Sequence, residues 1–196
     1  MTDLTDCSLR SVPAINDGWM QGARIARSSH FNERPAGEIS LLVIHNISLP
    51  PGKFGGGYVE RFFAGDLPVA DDPYFETIKD LEVSSHFFIT RQGEAVQFVS
   101  CLKRAWHAGK SSFAGRSACN DFSVGIELEG TDILPYTGMQ YRTLSFLTLA
   151  LMKAYPDITT SRITGHQDIA PGRKTDPGPA FDWQRFKNDL ETLRNL

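Results

Sequence analysis

The stretch Ile39-Ser40-Leu41-Leu42-Val43-Ile44 is a short apolar run that ends directly at His45. A continuous run of this length is typical of a β-strand that is buried on both faces. We therefore expect it to be an inner strand of a covered sheet. His45 then comes at the end of the strand, where α/β sheets collect their ligands.

Further strands and helices follow along the chain. Strand patterns or hairpin signals occur in four segments, residues 85–89, 95–99, 123–129 and 162–164. Helix patterns follow two candidate N-caps, Thr137 before a helix through about Tyr155, and Asp182 before the last helix. Strands that alternate with helices predict an α/β fold with a central mixed β-sheet flanked by helices.

A chain of 196 residues suits a single domain, residues 1–196, with a sizeable core. Residues 1–38 are weakly periodic and are predicted to form an N-terminal arm on that core. Residues 46–80 contain Pro50-Pro51 and Gly55-Gly56-Gly57, with a short helix predicted at about residues 58–63. A connection this long is uncommon in a compact domain and is typical of a substrate loop or lid.

Composition and charge argue against several classes of partner. A net charge of −3 favours neither nucleic acid nor an anionic membrane, and no apolar stretch approaches the length of a membrane span. Cys7, Cys101 and Cys119 are too widely spaced for a disulfide framework or a Cys-x-x-Cys zinc site, so we expect reduced thiols. Residues 1–7 lack the apolar core of a secretory signal. We therefore expect a cytoplasmic monomer.

The densest set of polar side chains lies between Gly165 and Gly178, in the sequence GHQDIAPGRKTDPG. Its prolines and glycines disfavour both a helix and a central strand, so the stretch is predicted to be a stiff loop. A stiff loop that is rich in ligand-type residues is typical of a functional site.

Three residues are candidate metal ligands: His45, His166 and Asp176. Both histidines come after predicted strands, and Asp176 can turn back to the same point across the loop. Two imidazoles and one carboxylate leave a fourth tetrahedral position open, which is typical of catalytic rather than structural zinc. Alternatives stay open for each residue alone, because a histidine at a strand end is often only hydrogen-bonded and an Asp-Pro pair is a common turn.

Asp168 forms a His-x-Asp pair with His166, which raises the alternative of a ferrous iron site made of two histidines and one carboxylate. That arrangement places its second histidine downstream of the pair, and no histidine follows His166. We therefore interpret Asp168 as an outer partner that orients His166 or the loop.

Four blocks occur in one order along the chain: His45 after the buried strand, residues 104–109 with the sequence RAWHAG, residues 120–130 with the sequence NDFSVGIELEG, and the loop from His166 to Gly178. Together they resemble the zinc N-acetylmuramoyl-L-alanine amidases, the family related to phage T7 lysozyme and the peptidoglycan recognition proteins. The likeness is greatest to the AmpD branch, which cleaves 1,6-anhydromuramoyl-peptides in cell-wall recycling. It runs from about Ile15 to Asp189.

The resemblance implies a T7 lysozyme-like amidase fold, with the site in a groove at one edge of the sheet. It also implies one Zn²⁺ held by His45, His166 and Asp176, a catalytic glutamate at Glu127 and a catalytic lysine at Lys174. Without the other blocks, Glu127 and Lys174 also fit the pattern of solvated surface residues.

Substrate contacts are assigned to Asn46, Trp106, His107 and Arg116. The resemblance places Asn46 and the loop after it near the substrate. The flat face of Trp106 suits stacking on a sugar ring, with His107 beside it as a donor or acceptor, although a core tryptophan is the alternative. Sequences of the AmpD branch often carry an arginine where this chain has Ala118, and Arg116 is assigned as its substitute.

The function implied is zinc-dependent hydrolysis of the amide bond between (1,6-anhydro)N-acetylmuramic acid and the L-alanine of the stem peptide. The expected partner is soluble anhydromuropeptide. Two alternatives stay open. One is a catalytically silent peptidoglycan-recognition module, of a kind that often lacks the ligand at the position of Asp176. The other is a lytic amidase that acts on the polymeric cell wall.

Overall fold

The computed structural model describes residues 12–196 of the chain. Its strands are β1 (Ile15–Asn16), β2 (Trp19–Met20), β3 (Arg24–Ile25), β4 (Phe31–Glu33), β5 (Leu41–Ile47), β6 (Phe87–Ile89), β7 (Ala95–Gln97), β8 (Lys103–Ala105), β9 (Ser112–Phe113), β10 (Arg116–Ser117), β11 (Ser123–Glu129) and β12 (Ile163–Gly165). Its α-helices are α1 (Tyr58–Ala64), α2 (Gly138–Ala154), α3 (His166–Ile169) and α4 (Trp183–Arg194). Short 3₁₀ helices cover Val69–Asp71, Pro73–Thr77, Cys119–Asp121 and Thr160–Arg162.

The central element is a six-stranded sheet with the strand order β12-β5-β11-β6-β7-β3. The pairs from β12 to β6 are parallel, β6 and β7 are antiparallel, and β3 joins the edge parallel to β7. Helices α2 and α4 pack on one face of this sheet, whereas α1 and α3 pack on the other. The predicted α/β class, a mixed sheet flanked by helices, is therefore confirmed.

Strand β5 is the inner strand that the sequence predicts, because Leu41 to Ile44 are each 0% exposed. Leu42 and Ile44 pack with α2 and α4, whereas Leu41 and Val43 face the opposite side. The strand continues to Ile47, since its pairing with β11 extends that far. His45 therefore lies inside β5 and not just beyond it, which corrects the predicted end of the strand.

Both predicted helix caps are present. Thr137 forms a capping box with Gln140: its hydroxyl accepts from the Gln140 N–H at 3.1 Å, and its own N–H donates to Gln140 Oε1 at 3.0 Å. Asp182 Oδ1 accepts from the Arg185 N–H at 2.9 Å and caps α4. These bonds start α2 and α4 at the residues that the sequence indicates.

The long connection at residues 46–80 includes the predicted short helix, which is α1. The buried apolar side chains of this connection form a second core cluster with the sheet, and they are Leu49, Val59, Phe62, Phe63, Phe75 and Ile78. An ion pair between Glu60 of α1 and Arg24 of β3, at 2.7 Å, adds a link to the edge of the sheet. The connection thus has a packed interior of its own.

The N-terminal part contributes short strands to the fold. Within residues 12–38, β3 extends the central sheet and β4 pairs with β8. Residues 1–11, which include Cys7, lie outside the described residues. Cys101 and Cys119 are buried free thiols. Between residues 12 and 196, none of the helices has both the length and the apolar character needed to traverse a bilayer.

Ile126→Ala tests the packing of the inner strands. Ile126 in β11 is 0% exposed, and its truncation should lower the free energy of unfolding by about 2–5 kcal/mol because a cavity remains. The same substitution at Ile133, which is 83% exposed, is the matched control, with an expected change below about 0.5 kcal/mol. Urea unfolding followed by circular dichroism measures both. Equal effects would contradict the burial of β11.

Candidate active site

Three ligand-type side chains converge at one edge of the central sheet. His45 Nδ1 lies 3.0 Å from His166 Nδ1 and 3.0 Å from Asp176 Oδ2, and His166 Nδ1 lies 3.1 Å from the same oxygen. Among the described residues, these three form the group of His, Cys, Asp or Glu side chains that could hold a metal ion. The structure therefore brings together all three residues that the sequence singles out as ligands.

Backbone pairing explains this convergence. In the parallel pair of β12 and β5, Gly165 lies opposite Ile44, so His166 follows directly beside His45. The Gln167 N–H donates to the Asp176 carbonyl at 2.9 Å and closes the loop between the last two ligands. Asp168 Oδ2 accepts from the Gly165 N–H at 2.9 Å and from Thr164 Oγ1 at 3.2 Å. Asp168 thus anchors the start of α3, so the first turn of the stretch that the sequence predicts to be a loop is helical instead.

The hydrogen bonds around His166 leave a lone pair at the centre of the group. His166 Nε2 lies 3.1 Å from the Ala108 carbonyl oxygen, which can only accept, so the Nε2 proton is directed there. In the neutral ring, Nδ1 then carries a lone pair and faces Asp176. Burial lowers the pKa of His45 to about 4, so the His45 imidazole is neutral at pH 7.

Electron-rich atoms at such distances repel one another unless a proton or a cation lies between them. A tetrahedral site with ligand bonds of about 2.0–2.1 Å places its ligand atoms roughly 3.3 Å apart, close to the spacing seen here. The donor set of two imidazole nitrogens and one carboxylate oxygen also suits a divalent transition metal. The residues therefore fit a metal ion, with room for a further ligand on the cavity side.

Glu127 lies beside this group because β11 runs parallel to β5 and places Glu127 opposite His45. Its Oε1 atom is 4.0 Å from His45 Nδ1. The residue is only 8% exposed, and no residue of the described chain hydrogen-bonds to its buried Oε2 atom. Burial, together with the nearby charge of Asp176, raises the pKa of Glu127 above its usual range. Glu127 is thus a carboxyl group with an unpaired oxygen at the site.

Glu129 shares a strand face with Glu127 but has a different environment. Its Oε1 atom accepts from the Gly55 N–H at 2.5 Å, and its Oε2 atom accepts from the Arg91 N–H at 2.8 Å. Both carboxylate oxygens are therefore occupied by backbone donors. Glu129 connects the segment of residues 46–80 to the β6–β7 hairpin and to the end of β11.

A cavity of about 610 Å³ opens in front of these groups. Its mostly apolar lining, called the apolar wall here, includes Phe62, Tyr74, Ile78, Leu81 and Trp106. Its polar lining, called the polar wall, includes Asn46, Ser48, Thr131, Asp132 and Lys174. Asn46 Nδ2 donates to Asp132 Oδ1 at 2.8 Å, so the amide of Asn46 is held in place at the cavity. Lys174 is exposed at the rim.

Trp106 and His107 both line the cavity but have different hydrogen-bond partners. Trp106 lines the cavity, stacks parallel to His30 with 6.1 Å between ring centroids, and donates to Asn32 Oδ1 at 3.1 Å. His107 is 9% exposed, with Nδ1 at 2.9 Å from His45 Nε2 and Nε2 at 3.1 Å from Ser123 Oγ. Both ring nitrogens of His107 therefore have protein partners.

Arg116 does not lie at the cavity, in contrast to the expectation from the sequence. It belongs to β10, pairs with Glu38 at 2.6 Å and lies over the Phe122 ring at 4.0 Å from its centroid. These contacts hold it away from the residues that line the cavity. Arg116 therefore does not take the place of the arginine that sequences of the AmpD branch often carry at the position of Ala118.

Two residues near the site had no separate signal in the sequence. Asp132, just beyond β11, lies in the polar wall and accepts from Asn46. Arg173 directs Nη2 at the carbonyls of Ala108 and Lys110, at 2.6 and 2.7 Å. Its neighbour in the loop, Lys174, instead faces the cavity. The backbone contacts of Arg173 agree with the expectation that Lys174, and not its neighbour, serves the site.

The family model described as N-acetylmuramoyl-L-alanine amidase matches residues 35–179. The chain belongs to this family. The matched residues include every ligand-type residue of the site. Family membership and the amidase fold, both expected from the sequence, are therefore confirmed.

Similar proteins of this family match over most of the chain. The 1,6-anhydro-N-acetylmuramyl-L-alanine amidase AmpD of Escherichia coli (strain K12) is 55% identical over 174 residues, which are 88% of this chain and 94% of that protein. AmpD of Haemophilus influenzae is 50% identical over 184 residues, covering 93% of this chain and all (100%) of that protein. A crystal structure of a selenomethionine AmpD derivative has a TM-score of 0.88 and 53% identity, and covers 90% of this chain and 98% of that one.

Glu129→Ala tests the division of roles between the two glutamates of β11. Hydrogen bonds to a charged group contribute about 1.5–3 kcal/mol, so hydrogen exchange of the Gly55 and Arg91 amides should quicken roughly ten- to a hundredfold. Exchange measured by NMR spectroscopy reports these two amides directly. Glu127→Ala is the matched control and should leave both rates unchanged. Unchanged exchange in Glu129→Ala would show that its carboxylate does not hold the loop.

Proposed function

We propose that this amidase hydrolyses the amide bond between 1,6-anhydro-N-acetylmuramic acid and the L-alanine of the stem peptide. One Zn²⁺ held by His45, His166 and Asp176 serves the reaction. The observation that carries the proposal is the convergence of those three side chains beside the unpaired carboxyl of Glu127, at the base of a cavity of about 610 Å³.

Zinc is the ion that suits this donor set. Two imidazoles and one carboxylate, with a fourth position open, are typical of catalytic zinc, whereas closed structural sites use more thiolate. When bound, the ion supplies a Lewis acid that polarises the amide carbonyl and makes water acidic enough to react at neutral pH. The remaining tasks, which are proton transfer, charge stabilisation and substrate placement, fall to side chains of the chain.

Glu127 is the proposed general acid and base. Its unpaired Oε2 atom is free to accept the proton of the attacking water. The same carboxyl then donates that proton to the alanine nitrogen as the amide bond breaks, since an amine leaves only when it is protonated. Glu129 cannot take this role, because both of its oxygens are bound to backbone N–H groups.

Lys174 is the proposed stabiliser of the negative charge that develops on the carbonyl oxygen. It lines the cavity and belongs to the same loop as Asp176. A cation placed where charge develops lowers the barrier more than one that contacts the ground state. Arg173 serves the backbone instead, through the carbonyls of Ala108 and Lys110.

The cavity walls suit a sugar joined to a peptide. The apolar wall, with Trp106, offers flat surface to a sugar ring, and the polar wall, with Asn46 and Asp132, offers partners to peptide amides. A related enzyme supports this class of substrate: the amidase AmiD of Escherichia coli was solved with anhydro-N-acetylmuramic acid-L-Ala-D-γ-Glu-L-Lys. That structure has a TM-score of 0.58 and 27% identity, and covers 91% of this chain and 65% of that one.

Residues 46–80 are proposed to act as the substrate loop of a single amidase domain, since α1 and the residues after it supply the apolar wall. The likeness to AmpD supports a soluble muropeptide as the substrate. We propose the cytoplasm as the place of action, in line with the expectation from the sequence. A silent recognition module is disfavoured because all three ligand positions and Glu127 are filled by chemically competent residues.

Three substitutions separate metal binding from the chemical step. Asp176→Ala should lose both zinc and turnover, because one of three ligands is removed. Glu127→Gln should keep about one zinc per chain and lose turnover, since an amide cannot carry the proton. Lys174→Met should keep the zinc and lose roughly a hundred- to a thousandfold in kcat. Metal analysis and release of stem peptide measure these outcomes. Full activity of Glu127→Gln would remove the proposed proton transfer.

Comparison of two substrates tests the recycling role. Soluble anhydromuropeptide should be cleaved between the sugar and L-alanine at a rate per bond well above that for intact sacculi, because the cavity accepts one sugar–peptide unit. Chromatography and mass spectrometry of the products measure both rates. Faster release from sacculi would favour a lytic amidase, and binding of either substrate without cleavage would favour a recognition module.

A further inference from the structure

His107 lines part of the cavity, but it contacts His45 on the side of the imidazole that faces away from the metal-binding group. Its Nδ1 atom lies 2.9 Å from His45 Nε2, on the far side of the imidazole from the Nδ1 atom that faces Asp176. Its Nε2 atom lies 3.1 Å from Ser123 Oγ in β11. Ser123 is fully buried and His107 is 9% exposed. A continuous buried chain of contacts thus runs from Ser123 through His107 to His45.

Only one direction of proton donation along this chain leaves His45 able to bind a cation. If His107 Nε2–H donates to Ser123, then His107 Nδ1 accepts from His45 Nε2–H, and His45 Nδ1 presents a lone pair to the metal group. In the opposite direction, His107 Nδ1–H donates to His45 Nε2, and His45 Nδ1 then carries a proton. The tautomer of His107 therefore determines which atom of His45 is free.

The neighbouring residue, Ala108, accepts a hydrogen bond from the other imidazole in the same way: its carbonyl oxygen lies 3.1 Å from His166 Nε2. The segment is held in place by Asn120, whose Oδ1 atom accepts from the N–H groups of His107 and Ala108 at 3.2 and 2.8 Å. Arg173 adds a bond of 2.6 Å to the Ala108 carbonyl. Two consecutive residues thus supply the outer partners of both imidazoles.

The His107 ring packs against β11 at Gly125, which has no side chain. A Cβ atom on Gly125 would lie 2.6 Å from Cγ and Nδ1 of His107, closer than real contacts allow. A side chain at this position of β11 would therefore push the ring away from His45. The absence of a side chain at residue 125 permits the contact between the ring and the strand.

We infer that His107 is a positioning residue of the metal centre, which accepts a hydrogen bond from His45 Nε2 and so directs the His45 Nδ1 lone pair at the ion. This role rests on the proposed metal site and differs from the substrate contact that the sequence suggests. A substrate contact would alter KM and leave zinc affinity unchanged. An outer partner of a ligating histidine instead changes metal affinity, typically by about 10–100-fold.

Two substitutions at residue 107 separate the hydrogen bond from the bulk of the ring. His107→Phe keeps a ring of similar size but has no acceptor, whereas the amide oxygen of His107→Asn can take the place of Nδ1. Chelator competition should show zinc affinity weakened about 10–100-fold in His107→Phe and restored to within about threefold of wild type in His107→Asn. The visible absorption of the cobalt-substituted protein should shift in His107→Phe, because the geometry at His45 relaxes.

His86→Phe is the matched control. His86 is also buried, with a ring centroid 5.6 Å from that of His107, but its ring nitrogens contact the Gly125 N–H, the Lys103 carbonyl and Arg34 Nη2. Its loss should lower the melting temperature and leave zinc affinity and the cobalt spectrum as in wild type. Zinc affinity in His107→Phe equal to wild type, or equally weak in His107→Asn and His107→Phe, would overturn the inference.

Ser123→Ala keeps the test decisive if His107→Phe fails to fold. Without the hydroxyl, His107 Nε2–H loses its acceptor, the opposite tautomer is favoured, and zinc affinity should fall by several-fold, up to about tenfold. Wild-type affinity in Ser123→Ala would contradict the inference. Failure of the wild-type protein to bind zinc would overturn the proposed function. If the wild-type protein binds zinc but substitutions at residue 107 leave zinc affinity unchanged, only the role of His107 is overturned.

Discussion

The structure depends on the parallel pairing of β5 with β11 on one side and with β12 on the other. The register of the first pair places Glu127 opposite His45, and the register of the second places Gly165 opposite Ile44. The imidazoles of His45 and His166 and the carboxyl group of Glu127 therefore meet at the same edge of the sheet. A shift of one residue would turn the buried side chains of β5 to the wrong face. The geometry of the site is therefore set by the packing of apolar strand residues that take no part in chemistry.

This edge buries an unusual number of polar side chains, and the chain satisfies most of them internally. His45, His86, His107 and His166 are all buried, and each has partners among neighbouring side chains or backbone groups. Leaving such a group unpaired costs about 1–3 kcal/mol, which explains why the partners are so complete. The buried Oε2 atom of Glu127, which has no partner among the described residues, and the three facing atoms of the metal group coincide with the proposed chemistry.

Glu127 and Glu129 show how one strand face serves two purposes. Glu127 and Glu129 are two residues apart in a β-strand, so both carboxyl groups lie on the same face of β11. Glu127 lies beside the metal group, whereas Glu129 accepts hydrogen bonds from the backbone of Gly55 and Arg91. One carboxyl is thereby free to exchange protons and the other is fixed as a structural acceptor. The segment that Glu129 holds also supplies the apolar wall of the cavity, so the same strand supports both the reacting group and the substrate surface.

Local patterns in the sequence were sufficient for the mixed sheet, the inner strand β5 and the caps at Thr137 and Asp182. They made His45, His166 and Asp176 candidate ligands, and the family resemblance joined them into one set. Apolar periodicity, capping chemistry and ligand type are properties of short segments, and each of these features depends on them. The partners of His107 and Arg116 were decided only by tertiary structure. His107 meets His45, 62 positions away, and Arg116 meets Glu38, 78 positions away. Such pairs form only when distant segments pack together, because a polar side chain takes whichever partner the fold places within about 3 Å of it.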